Sequence, residues 1–130
     1  MNEISFWNGY PVLGDVKELD SITESNGSFD KKDIIDVLYP YGNNFVTTGF
    51  NDNIDEALKE ATRKLPYKIE ELDCLLFNLY CSKMQPKSVF SYASGILSDA
   101  NGEMVYGWNL ISDDSLGNSF KVVLVASVEG

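Results

Sequence analysis

The chain has no histidine, only two cysteines and four prolines, and half as many bases as acids. Each shortage removes something. Without histidine there is no side chain whose ordinary pKa lies near neutrality, so the usual base of Ser-His and Cys-His catalysis and the imidazole of most zinc sites are missing. Cys74 and Cys81 are seven positions apart, which fits neither a redox pair nor a zinc half-site. If the run between them is a strand, that odd separation sets the thiols on opposite faces, so reduced, packed cysteines and a reducing compartment are expected. No apolar run approaches the ~20 residues of a membrane span, and Met1-Asn2-Glu3-Ile4-Ser5 lacks the basic and apolar regions of a secretory signal. The expected location is the cytoplasm, with no membrane partner. There is no Gly-x-Gly-x-x-Gly and no phosphate loop ending in Gly-Lys-Ser/Thr, so nucleotide binding has no support. Ten Lys+Arg against twenty Asp+Glu give a net charge of -10. That field disfavours nucleic acid and makes a basic partner the expectation.

What is present suits one ordinary domain. At 130 residues and 44% hydrophobic, such a chain buries roughly two thirds of its unfolded surface. Residues 1–66 read as mainly helical and acidic, and 67–130 as mainly antiparallel strands, without repeat, low-complexity tract or linker. Ile4-Ser5-Phe6-Trp7 reads as a short strand or apolar arm, broken into a turn by Gly9, Pro11 and Gly14. Val16, Leu19 and Ile22 recur every three residues and predict a short helix from Asp15. Asp30 is a good N-cap for a second helix carrying Ile34, Ile35 and Leu38, with Phe29 placed to pack on Ile34. Phe45 to Phe50 predicts a strand. Asn53 then opens a third helix, with Glu56 at the capping-box position, an apolar face of Ile54, Leu58, Ala61 and Leu65, a Glu60–Lys64 pair, and Pro66 at its end. Leu75–Cys81, Ser88–Leu97, Glu103–Ile111 and Ser119–Val128 predict strands, with a turn at Asp99-Ala100-Asn101-Gly102. The expected fold is α+β, with N-terminal helices on a curved antiparallel sheet of four to five strands.

Motifs for chemistry fail one by one. Asp15-Val16-Lys17 and Asp30-Lys31-Lys32 superficially resemble a nuclease triplet, but they sit at predicted helix starts, and the net charge would repel a nucleic-acid backbone. Asp99, Asn101 and Glu103 alternate like a calcium loop, yet Met104 stands where that loop needs Gly and Leu110 where it needs Glu. Asp113-Asp114 reads as a solvated loop. No catalytic residue, cofactor site or metal site is expected, and the chain is not expected to be an enzyme.

The acid-rich region offers more. Asp15, Glu18, Asp20, Glu24, Asp30, Asp33 and Asp36 are opposed only by Lys17, Lys31 and Lys32, and they are flanked by Trp7, Tyr10, Tyr39 and Tyr41. Residues 1–60 carry -8 of the charge and residues 61–130 only -2. Aromatic anchors supply binding energy and a negative field steers a basic partner, so the seven acids with Tyr39 and Tyr41 form the candidate partner-binding set.

With Ile4-Ser5-Phe6-Trp7-Asn8-Gly9, this acidic half, and the aromatic pair of segments Val89-Phe90-Ser91-Tyr92 and Met104-Val105-Tyr106-Gly107-Trp108, the chain resembles small acidic immunity proteins of bacterial toxin–immunity systems, the antidotes of contact-dependent inhibition and polymorphic toxins. The resemblance implies stoichiometric neutralisation of a cognate toxin domain, a basic nuclease being the natural class. The order of elements is also similar to nuclear-transport-factor-2-like cone folds. That alternative implies a pocket for a small apolar ligand lined by Tyr92, Tyr106, Trp108 and Phe120, with Asp73 or Glu103 as base. A third reading is a nucleic-acid mimic with spaced carboxylates.

Overall fold

In the computed structural model, which describes residues 3–39, 42–82 and 105–129, the chain begins as a hairpin. Strands β1 (Ile4–Trp7) and β2 (Tyr10–Gly14) pair antiparallel, joined by Asn8 and Gly9 at φ values of 49° and 87°. Two positive φ angles make the mirror-image turn whose twist suits a two-residue hairpin. A strand therefore replaces the turn expected over Gly9, Pro11 and Gly14. Pro11 fits because it faces Phe6 in a pair without hydrogen bonds, and the Asn44 side chain donates to its carbonyl at 2.9 Å.

Helices α1 (Lys17–Thr23) and α2 (Lys31–Ile35) carry the chain over to β3 (Asn43–Asn51), which lies parallel to β2. Helix α3 (Ile54–Arg63) and a 3-10 turn (Ile69–Glu71) lead to β4 (Cys74–Cys81). Strand β5 (Val105–Ser112) runs parallel to β4, and β6 (Phe120–Val128) returns antiparallel between β3 and β4. The order is β1-β2-β3-β6-β4-β5. The α+β expectation holds, but the sheet is six-stranded and mixed, because helical crossovers place β2 beside β3 in the same direction. Strand β5 joins β4 rather than forming a meander with β6. The predicted strand Ser88–Leu97, the turn at Asp99–Gly102 and the residues Glu103 and Met104 lie outside the described residues.

Both faces of the sheet are covered. On one face Leu19, Ile22, Ile34, Val37 and Leu38 from the α1–α2 layer meet Val46, Leu76, Val123 and Val125. On the other, Ala57, Leu58, Ala61 and Leu65 from α3 meet Phe45, Phe77, Leu79 and Leu124. Strands buried on both sides need continuous apolar runs rather than alternation, which accounts for Leu75–Phe77 and Val122–Ala126. Cys74 and Cys81 fall in opposite cores as free thiols, as their odd spacing required.

Local devices hold the helices in register. The Asn53 side chain accepts from Asp55 N at 2.9 Å and Glu56 N at 3.3 Å, but the Asn53 N–H goes to Asn51, so the capping box is only half formed. The expected Glu60–Lys64 pair gives way to another contact, because Lys64 Nζ donates to Thr48 O at 2.6 Å. Gly49 lets α3 approach the sheet closely: a Cβ there would strike the Ala57 carbonyl and lie 2.9 Å from Ala61 N. Beside it, Thr47 Oγ1 donates to Ala61 O at 2.8 Å.

Candidate protein-binding surface

Folding gives several of the nine candidate residues work inside the molecule. Both Glu18 oxygens lie within 2.9 Å of Lys121 Nζ, which sits 4.8 Å over the centre of the Tyr80 ring. Asp20 accepts from Trp7 Nε1 at 2.9 Å. That bond fastens α1 to the β1–β2 hairpin. Asp30 and Asp33 form a reciprocal capping box on α2, with bonds of 3.1 and 2.8 Å. Tyr39 is half-buried at the far end of the sheet, where its hydroxyl lies 3.9 Å from Cys74 Sγ and its N–H donates to Asn44 Oδ1. Tyr41 lies outside the described residues. Asp15, Glu24 and Asp36 are exposed, with no ion pair or side-chain hydrogen bond among the described residues. The set therefore does not converge on one point. Asp20, Glu24, Asp30 and Asp36 are exposed along the α1–α2 segment, Asp15 precedes it, and the half-buried Glu18 and Tyr39 lie towards opposite ends of the sheet.

That layer is pinned, not draped. In the α1–α2 connection, Asn26 donates to Ser112 O at 2.9 Å and accepts from Ser112 N at 3.0 Å, as a neighbouring strand would. Ser28 N donates to Asn109 Oδ1 at 2.7 Å, and Asn109 Nδ2 donates to Asn78 Oδ1 at 3.0 Å beneath it. Gly27 is required at this contact, since a Cβ would come within 2.7 Å of Asn109 Nδ2. At the other end the Ser127 hydroxyl lies 2.8 Å from Val37 O.

The buried titratable groups are held neutral. Burial pushes up the Cys74 and Cys81 thiols and, more strongly, the Tyr80 phenol, to which the Glu18 and Asp113 charges add. The contact with Cys74 is the main cause of a raised Tyr39 pKa. A protonated thiol or phenol is a poor nucleophile, so these groups suit packing better than covalent chemistry. Among the described residues no group of three or more Cys, Asp or Glu is placed to hold a metal. Asp113, in the predicted solvated loop, caps a 3-10 turn by accepting from Ser115 N at 3.1 Å. An open cleft of about 420 Å³ is lined by Asp15, Val46, Thr47 and Lys64.

Phe120 is buried in the α3-side core and Asp73 accepts from Glu129 N at 2.7 Å at the surface. With helices on both faces, the sheet encloses no cone among the described residues. Tyr92, Glu103 and the side chains of Tyr106 and Trp108 lie outside them.

No protein-family model matches the chain, and no curated protein matches it. Solved structures do. An empty FtsZ dimer from M. jannaschii superposes with a TM-score of 0.65 at 18% identity, over 80% of this chain and 32% of that one. The TubZ of Bacillus thuringiensis serovar israelensis, solved as GDP-form protofilaments, superposes with a TM-score of 0.61 at 13% identity, over 88% of this chain and 34% of that one. The chain thus spans about a third of the length of each. At such identities the likeness shows the fold alone.

Sequence reasoning underrated the hairpin. Ile4 and Phe6 are large apolar side chains left exposed, while Trp7, on the opposite face of the strand, is buried and tied to Asp20. The available signal was the Asn8-Gly9 pair, a favoured two-residue hairpin turn, between Ile4-Ser5-Phe6-Trp7 and Tyr10.

Proposed function

We propose that the protein is an immunity protein that binds a basic toxin domain, a nuclease being the best-fitting class, and silences it by stoichiometric complex formation in the cytoplasm, without catalysis of its own. The observation that carries this reading is the pair of exposed carboxylates Glu24 and Asp36, unpaired among the described residues, on a helical layer fastened to the sheet at both ends, with exposed Asp15 just ahead of it. A fixed array of negative charge steers a basic partner and loses little freedom when it binds. Nucleotide-dependent assembly is not proposed from the FtsZ and TubZ likeness, because the chain spans a third of those proteins and has no glycine-rich phosphate loop.

The test begins with a tagged pull-down from the native host and native mass spectrometry of the retained complex. One basic protein at fixed stoichiometry is expected, and its activity should be lost on binding. Glu24→Lys with Asp36→Lys should then slow association by about tenfold at low salt, with the difference shrinking as salt rises. Asp33 is a poor choice for reversal because it closes the α2 capping box. Unchanged association would move the binding face off this layer, and the lack of any basic partner would end the reading.

A further inference from the structure

The hairpin leaves one edge of the sheet open at β1. In a two-residue hairpin, hydrogen-bonded and non-hydrogen-bonded pairs alternate from the turn outward, so Trp7 and Ser5 bond to Tyr10 and Val12. Ile4 and Phe6 consequently turn their N–H and C=O groups away from β2, and among the described residues β1 has no second neighbour in the sheet. Side chains close open backbone at two other places: Lys64 takes Thr48 O where β3 runs on past β2, and Asn26 takes both backbone groups of Ser112 at the end of β5. Among the described residues strand β1, four residues long, has no such cover and carries no Lys, Pro or bulge.

The two sides of that edge differ in chemistry. Ile4 and Phe6, 59% and 71% exposed, project on one side. On the other lie Glu3 and, through its bond to Trp7, Asp20 of α1, with Glu24 one turn further on. Lys17 is the sole base of α1 and makes no ion pair with Asp20.

We propose that β1 is a strand-addition site whose occupant is an extended segment of the basic partner, with apolar side chains over Ile4 and Phe6 and Lys or Arg facing Glu3, Asp20 and Glu24. Backbone pairing supplies affinity and the alternating side chains supply selectivity. Charge decides the occupant. Pairing β1 with a second copy would bring the same carboxylates together in a molecule of net charge -10, whereas a basic segment relieves them. The proposal rests on the inhibitor reading and names the part of the partner that docks.

The test uses the full chain and a labelled ten-residue peptide of alternating Val and Lys, against a peptide of the same composition with Val and Lys in separate blocks. The alternating peptide should bind at least about tenfold tighter, more weakly as salt rises, and should slow amide exchange at Ile4 and Phe6. Phe6→Lys should lower its affinity at least about tenfold by guarding the edge with charge. Phe6→Pro should do the same by removing an outward N–H, and the thermal melt of both variants shows whether the hairpin survives. Equal binding of the two peptides, protection elsewhere in the sheet, or full affinity in Phe6→Lys would overturn the proposal. So would concentration-dependent dimerisation that Phe6→Lys abolishes. A toxin domain silenced equally by the wild type and Phe6→Lys would overturn the edge and leave the inhibitor reading standing. Peptide docking on β1 in a protein that captures no basic toxin would support the edge and end that reading.

Discussion

Replacing Asn109 with alanine should loosen the acidic layer without unfolding the protein. Asn109 Oδ1 accepts from Ser28 N at 2.7 Å, its Nδ2 donates to Asn78 Oδ1 at 3.0 Å, and Asn78 Nδ2 donates in turn to Val123 O at 3.1 Å. Asn109 and Asn78 are 1% and 0% exposed. Asn109→Ala would leave Asn78 Oδ1 as a buried acceptor without a donor, which costs about 1–3 kcal/mol. The Ser28 bond contributes about 1 kcal/mol, since Ser28 is exposed and water can replace the lost partner. The sum, about 2–4 kcal/mol, is below the stability of about 5–15 kcal/mol usual for a domain, so the fold should survive. Urea unfolding followed by tryptophan fluorescence would read the loss, and amide exchange over residues 25–30 should quicken because their anchor is gone. Asn109→Asp sharpens the test. It keeps the acceptor for Ser28 but sets a carboxylate against Asn78 Oδ1, where only the protonated form can donate. The introduced carboxyl therefore has a higher pKa folded than its ordinary ~3.9 unfolded. The folded state then holds the proton more tightly, so this variant should gain stability on the wild type as pH falls from 7 towards 4. A cost under about 1 kcal/mol for Asn109→Ala with unchanged exchange, or an Asn109→Asp variant that tracks the wild type with pH, would refute the anchoring argument.

Two further outcomes probe the other face and the buried thiols. Gly49→Ala places a methyl against the α3 backbone, where no side-chain rotation relieves the clash, and should cost about 3 kcal/mol; a melting temperature within a degree or two of the wild type would show that α3 does not pack as described. Cys74 and Cys81, whose pKa values are raised chiefly by burial, should resist a thiol reagent at pH 8 until urea is added. By the same linkage the unfolded chain releases these protons first, so stability should fall as pH rises past ~8.5, the ordinary thiol value. Rapid labelling of the native protein would contradict the burial.

Elements with local chemistry were readable from the chain, and pairings made at a distance were not. Asp30 and Asn53 marked the helix starts where the structure has them, because a cap is satisfied by backbone two or three residues away. The strand around Leu75–Cys81 was legible for a similar reason: few structures other than a doubly buried strand accept so apolar a short run. Strand β2 was missed because Pro11 and two glycines signal a turn, and only Asn44, 33 residues on, makes the Pro11 carbonyl a satisfied position within a sheet. The direction of β5 was missed because alternation says which face a residue takes and nothing about its neighbour. The candidate site divides in the same way. The sequence shows seven acids close together, but Lys121 lies 103 residues from Glu18, and Trp7 reaches Asp20 across a hairpin. Charges that look alike along the chain thus become a half-buried ion pair, a tie, two caps and an open remainder.

That division has a consequence for binding. A partner gains little from a carboxylate already committed to Lys121 or to a helix cap, because drawing it away would cost an internal bond of comparable strength. The carboxylates available to a partner are those that folding leaves unused, Asp15 just ahead of α1, Glu24 at its C-terminal end and Asp36 at the end of α2, together with the second oxygen of exposed Asp20. Helices cover both faces at the centre of the sheet, whereas Ile4 and Phe6 on β1 stay exposed, so the hairpin offers a partner both an edge and apolar surface. The edge that β1 leaves open among the described residues adjoins α1, which carries Asp20 and is capped by Glu24. A basic strand docked there would meet backbone, apolar surface and negative charge at once, and no other edge among the described residues offers all three.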